Sequence, residues 1–170
     1  MKSKIKFIER SKCVISGAKD LEYLNIIKDF PIWMGCTNQS QELDQTFDME
    51  WSISKSSGLI QLKKLIPLDL LYPEQHGPGT IGKIWKKHHK SFAEFITKKG
   101  KNNVLEIGGG HGILSIEANK LNLNKWTIIE PNPKPVEGCK ANFIKGFFDN
   151  NFKNDQGFDT FVHSHLLEHL

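Results

Sequence analysis

The chain has 170 residues, of which 38% are hydrophobic and 25% charged, with 23 basic against 19 acidic side chains for a formal net charge of +4. That composition belongs to a globular protein with room for one ordinary domain or two small ones. No apolar run approaches the roughly 20 residues needed to span a membrane, and the N-terminus MKSKIKFIERSK lacks the apolar core of a secretory signal.

Residues 1 to about 75 come first. "KFIER", "FPIWMG" and "GLIQL" are short apolar or alternating runs that predict strands, while "CTNQSQELDQ" is polar and predicts a loop. Cys13, Cys36 and Cys139 are far apart, which argues against a disulfide framework and for a reducing, cytoplasmic compartment. The lysines fall in scattered pairs (Lys63-Lys64, Lys86-Lys87, Lys98-Lys99), the pattern of a solvated surface and not of a nucleic-acid face.

"LYPEQHGPGTIG", residues 71 to 82, is rich in proline and glycine and predicts a connector. A helix is expected to follow, capped by Thr80 and stopped at Gly100, with Ile81, Ile84, Trp85, His88, Phe92, Phe95 and Ile96 as its apolar stripe. From residue 101 the pattern becomes strand, turn, helix, strand. "NVLEIG", "WTIIEP" and "FDTFVHS" predict strands; "HGILSIEANKLN" and "KPVEGCKANF" predict helices. Strands alternating with helices imply a parallel α/β sheet.

The most informative stretch is Glu106-Ile107-Gly108-Gly109-Gly110-His111-Gly112, between the first of these strands and its helix. Parallel sheets bind ligands where such turns leave the carboxyl ends of strands. A dinucleotide fingerprint would need glycine at 113, where the chain has Ile113, and no Gly-Lys-Ser/Thr ending marks a P-loop. What fits is E-x-G-x-G-x-G, with Glu106, Gly108, Gly110 and Gly112. This resembles motif I of the class I S-adenosylmethionine-dependent methyltransferases.

The resemblance covers residues 101 to 170. It implies an α/β, Rossmann-like sheet with S-adenosyl-L-methionine as cofactor. The glycines and His111 would lie against its methionine part, and Glu106 would meet its amino group. Glu130, at the end of "WTIIEP", would hold the ribose hydroxyls, since one carboxylate accepts from both. Phe147 and Phe148 would wall the adenine beside Asp149, and His163 and Ser164 would line the pocket.

The first region resembles the small N-terminal zinc-binding domain attached to many sugar methyltransferases. Its two Cys-x-x-Cys-Gly knuckles correspond here to Cys13-Val14-Ile15-Ser16-Gly17 and Ser54-Lys55-Ser56-Ser57-Gly58, the second followed by Leu59-Ile60-Gln61-Leu62. Three of the four ligand positions are serine, a poor zinc donor. A mainly β domain without a metal, kept by hydrogen bonds and apolar packing, is therefore expected. At the join, Tyr72, Glu74 and His76 stand in "YPEQHGPGTIG", which departs from the family's "Tyr-x-Tyr" pattern.

Three regions follow: a knuckle-like domain over 1–75, a connector and linking helix over 76–100, and the first part of a cofactor-binding domain over 101–170. The implied reaction is methyl transfer to a sugar or similar polar small molecule, nucleotide-linked or destined for a surface polysaccharide. His165 and His169, four residues apart in "SHLLEHL", are candidate bases, with Glu168 to orient one of them. The sheet is expected to stop after about its fourth strand. The open edge then calls for an oligomer or a partner, and a binding fragment without turnover is the rival expectation.

Overall fold

The computed structural model describes residues 7–32, 40–71, 82–99 and 102–167. The chain divides into two compact units, Met1–Pro73 and Glu74–Leu170. It has mixed α and β content, with one parallel sheet and two small antiparallel ones.

In the first unit, β1 (Ile8–Glu9) pairs antiparallel with β5 (Lys64–Leu65). A second sheet has β2 (Leu21–Pro31), β3 (Thr46–Ser54) and β4 (Ile60–Leu62) in that order. β1 and β4 lie in the expected runs "KFIER" and "GLIQL". Of the two longest strands, β3 was not expected and β2 meets the expected run "FPIWMG" only at Phe30 and Pro31, the rest of that run beyond Ile32 lying outside the described residues. Register shifts between Tyr23 and Asn25 and between Ile27 and Phe30 break the alternation of β2, which hides its strand period. A short 3-10 turn (Gln41–Leu43) and the four-residue α1 (Leu68–Leu71) complete the unit.

Two turns of this unit have the same internal bonding. The N–H groups of Cys13 and Ser54 donate to Ala18 and Leu59, and Gly17 and Gly58 donate back to Cys13 and Ser54. Ser16 N–H meets the Cys13 thiol as Ser57 N–H meets the Ser54 hydroxyl, and the Ser16 and Ser57 hydroxyls accept from Ala18 and Leu59. Cys13 Sγ and Ser57 Oγ join the turns at 3.3 Å. Buried Gln61 fastens the first turn to β4, accepting from Val14 N–H and donating to the Lys12 carbonyl. Among the described residues no group of three or more histidine, cysteine, aspartate or glutamate side chains is arranged to hold a metal ion. Cys36 lies outside the described residues.

The second unit holds α2 (Lys83–Lys99), β6 (Asn103–Ile107), α3 (Ile113–Asn119), β7 (Lys125–Glu130), β8 (Asn142–Lys145) and β9 (Thr160–His163). The strands form a parallel sheet in the order β8-β7-β6-β9. One face packs on α2 and α3 through Val104, Ile128, Val162, Leu114, Ala118, Ala93, Ile96 and Trp126. Burying each of the larger aliphatic side chains contributes about 1.5–3 kcal/mol. Leu105 and Ile129 are buried on the other face, where Phe148, Phe152, Phe158 and Phe161 gather at ring distances of 5.1–6.4 Å.

Three expectations need correction here. "KPVEGCKANF" forms no helix; it is a turn-rich passage running into β8 at Asn142–Lys145. Gly138, at a φ of 84°, and the preceding prolines oppose a helix there. Ile84 and Phe95 are not core residues: they are 84% and 58% exposed. The helix turns Trp85, His89, Ala93 and Ile96 inward, leaving Ile84 and Phe95 on its flank. Thr80, Ile81 and Gly100 lie outside the described residues.

Candidate functional site

The chain enters the parallel sheet at β6, runs outward through β7 and β8, then returns to the other side of β6 as β9. Strand order therefore reverses between β6 and β9, and in open parallel sheets the carboxyl ends of the strands at such a reversal are the usual ligand position. The glycine turn 108–112 leaves β6 at that point.

The turn is fixed from several sides. Gly108 N–H donates to the Ile129 carbonyl at 2.9 Å, and Gly112 N–H to the Gly109 carbonyl at 2.9 Å. Gly112 adopts a φ of 76°, and a side chain there would run into Cys139, Phe143 and Ile128. At Gly109 an added Cβ would stand 2.6 Å from the Glu106 carboxyl carbon and 2.8 Å from Ile128. At both positions the chain's own side chains need the missing Cβ.

Glu130 ends β7 and is 9% exposed. Its Oε2 accepts from Gly110 N–H and its Oε1 from Asn132 N–H, each at 3.1 Å. One carboxylate thus ties the turn after β6 to the turn after β7, and each oxygen keeps further acceptor capacity. His111 is held by the second turn: its Nδ1 lies 2.9 Å from the Lys134 carbonyl, and its own carbonyl accepts from Val136 N–H.

Glu106 points into the helix-covered face, 4% exposed, and accepts from Trp126 Nε1 at 2.7 Å. Burial pushes its carboxyl up to about 7, against the pull of the Trp126 hydrogen bond, and the negative charge of Glu130 adds to the rise. Trp126 as the partner of Glu106 was not legible from spacing.

Phe147 and Phe148 follow β8, both exposed, and the Phe148 ring lies tilted against Phe152 at 5.1 Å and Phe161 at 6.4 Å. At the end of β9, Ser164 Oγ lies 2.8 Å from His88 Nε2. Leu166 packs on Gly108, its Cδ1 3.0 Å from where a Cβ would stand. His165, at a φ of 52°, sets its ring edge-on to Trp85 at 4.8 Å and to His88 at 5.3 Å. Glu168 and His169 lie outside the described residues, as do Tyr72, Glu74 and His76.

The fold thus gathers Gly108, Gly110, His111, Gly112 and Glu130 in one group, and Ser164 with His165 at the neighbouring strand end. His88 was placed by sequence reasoning in the apolar stripe of its helix and, by resemblance, in the segment that covers the active site, without a role or a partner. Its signal was the His88-His89 pair one turn from the start of α2, but its partner is 76 positions away. Two open grooves lie elsewhere in this unit, one of about 370 Å³ lined by Phe92, Phe95 and Phe161, the other of about 480 Å³ lined by His89, Ile116 and Val136. Neither includes the glycine turn.

No protein-family model matches the chain, and no curated protein matches it.

Proposed function

We propose that the chain is an S-adenosylmethionine-dependent methyltransferase of Rossmann-like fold whose acceptor is a sugar or similar polar small molecule. One observation carries this reading. Glu130 accepts from Gly110 N–H at 3.1 Å, so an acid and a glycine turn meet at the carboxyl ends of adjacent parallel strands. An elongated nucleoside ligand suits that edge. Its charged amino-acid end would lie against 108–112, its ribose hydroxyls would donate to Glu130, and its base would reach Phe147 and Phe148 after β8. Bound there, the sulfonium supplies an electrophilic methyl group. The protein's own part is to align the acceptor and take up its proton. The acceptor class rests on the knuckle-like first unit, and a cytoplasmic site of action on the separated cysteines. No helix among the described residues is long and apolar enough to cross a membrane.

Titration calorimetry with S-adenosylmethionine and S-adenosylhomocysteine tests the proposal. Micromolar one-to-one binding is expected, weakened at least tenfold in Glu130→Ala and less in Glu130→Gln, which keeps an acceptor for the Gly110 amide. A folded chain that takes up neither compound overturns it.

A second reading, a binding module without turnover, is favoured by the outer edge of β9. No described strand pairs there, and Phe161 beside it is 59% exposed. Cofactor binding without transfer to any of a panel of nucleotide-linked hexoses would favour this module.

A further inference from the structure

We propose that His88 accepts, through Ser164, the proton that a hydroxyl acceptor gives up at the carboxyl ends of β6 and β9. This rests on the methyl-transfer reading for the identity of the acceptor, but the pair itself stands on geometry.

Ser164 is the first residue beyond β9, and two residues later Leu166 touches Gly108 in the turn beyond β6. The segment 164–166 therefore lies at the carboxyl ends of β6 and β9, where strand order reverses. His88 Nε2 reaches Ser164 Oγ from α2 at 2.8 Å. The imidazole is held on several sides: Phe92 lies 5.7 Å away on the same helix, Trp85 meets it edge-on at 5.7 Å, and His165 at 5.3 Å. Among the described residues, the titratable groups that face it are His89 on its own helix and His165 on the segment after β9. Burial, and then the like charge of these two when protonated, hold His88 below the ordinary histidine range. That shift favours the neutral imidazole, which has a lone pair to offer. His88 is already hydrogen-bonded to the hydroxyl at the strand end.

The step balances. The acceptor's O–H bond breaks and its proton passes to Ser164 Oγ as the Ser164 proton passes to His88 Nε2. The acceptor oxygen gains the methyl carbon, and the electron pair of the broken carbon–sulfur bond stays on sulfur. The positive charge lost by the sulfonium donor appears on the imidazole.

The tautomer decides the matter. If Ser164 donates to His88, then Nε2 is bare and Nδ1 carries the hydrogen. Nitrogen-15 spectra of the histidine side chains, recorded from pH 5 to 8.5 on the unliganded chain, are expected to show that tautomer at pH 7.5. The His88 titration midpoint should lie below 6.5, and the Nε2 signal should move in Ser164→Ala. An Nε2–H tautomer, or a protonated His88 at pH 7.5, overturns the proposal. S-adenosylhomocysteine binding separates the two ideas. His88→Gln should bind it within about threefold of the parent; failure of the parent chain to bind sinks the methyl-transfer reading while the tautomer still reports on the pair. Where a nucleotide-linked hexose is methylated, His88→Gln should slow transfer by about 100-fold or more and remove the acid limb of the pH profile. An unchanged rate and profile would count decisively against His88.

Discussion

Asp20 in the first unit is a partly exposed carboxyl and Glu106 in the second a buried one, and the two units hold them in opposite ways. Asp20 accepts from Ser56 N–H at 2.7 Å and from the Ser54 hydroxyl at 2.9 Å. The Ser56 hydrogen bonds, followed by that of Ser54, hold its carboxyl below the usual range. Glu106 accepts from one indole N–H, and burial, with a smaller push from the charge of Glu130, raises it to about 7. The first unit surrounds its polar groups with donors: Ser52, Ser54 and Gln61 are buried along with few large apolar side chains. The second buries Val104, Leu105, Leu114 and Ile128 almost completely. A small unit with little apolar volume is held together by matched hydrogen bonds. A sheet with a helix-covered face tolerates one strained acid because packing supplies the rest.

The glycines follow the same division. Gly17 and Gly58 have φ near +70° with open space where a side chain would go, so they serve backbone conformation alone. Gly112 needs the conformation and also the space. Gly112→Ala is therefore expected to give the largest effect, a loss of about 3–4 kcal/mol in urea unfolding, combining overpacking with left-handed strain. Adding Cys139→Ala should return roughly 1–2 kcal/mol of it by clearing the sulfur, leaving the backbone penalty. A loss under about 1 kcal/mol in the single variant would show that the turn has slack.

Glu106→Gln comes next. The folded pKa of about 7 lies above the reference 4.5. Ionisation is thus disfavoured in the folded state. The wild type keeps its full stability below about pH 4.5 and loses it as pH rises toward 7, by about 3 kcal/mol over the whole window. The glutamine variant keeps an acceptor for Trp126 and cannot ionise. Its melting temperature relative to the wild type should therefore climb from pH 5 to pH 8; parallel curves would remove Glu106 from the set of buried acids.

Gly17→Ala should cost less, about 1–2 kcal/mol, since only the left-handed conformation is penalised. The smallest effect is expected from Asp20→Asn. With a folded pKa below its reference 3.8, Asp20 contributes stability above that value and loses it as pH falls through the folded pKa. The substitution should lower the melting temperature of the first unit near neutrality, and the gap should close in acid, as followed by circular dichroism. A gap that widens in acid would contradict the donor arrangement around Asp20.

Much of the second unit was legible in residue order, because local rules govern it. "NVLEI" and "WTIIE" are short, mainly apolar runs of the kind that central parallel strands require, each carrying one acid, and glycines between strand and helix mark a turn wherever they occur. The same order misread "KPVEGCKANF", where apolar residues at helical spacing compete with prolines and a left-handed glycine, and the passage instead delivers a strand to the sheet edge. In the first unit most of β2 was illegible because bulges destroy its alternation.

For the candidate site, sequence by itself determined the glycine turn and the acid at the end of the following strand, since both depend on neighbours within one strand–turn–helix passage. Only tertiary structure decided that Glu130 grips Gly110, that Glu106 turns away toward Trp126, and that His88 meets Ser164. Those pairings join residues 20 and 76 positions apart. They follow from sheet order and from the face that α2 presents, and both are settled by burial of the whole core rather than by any local run of residues.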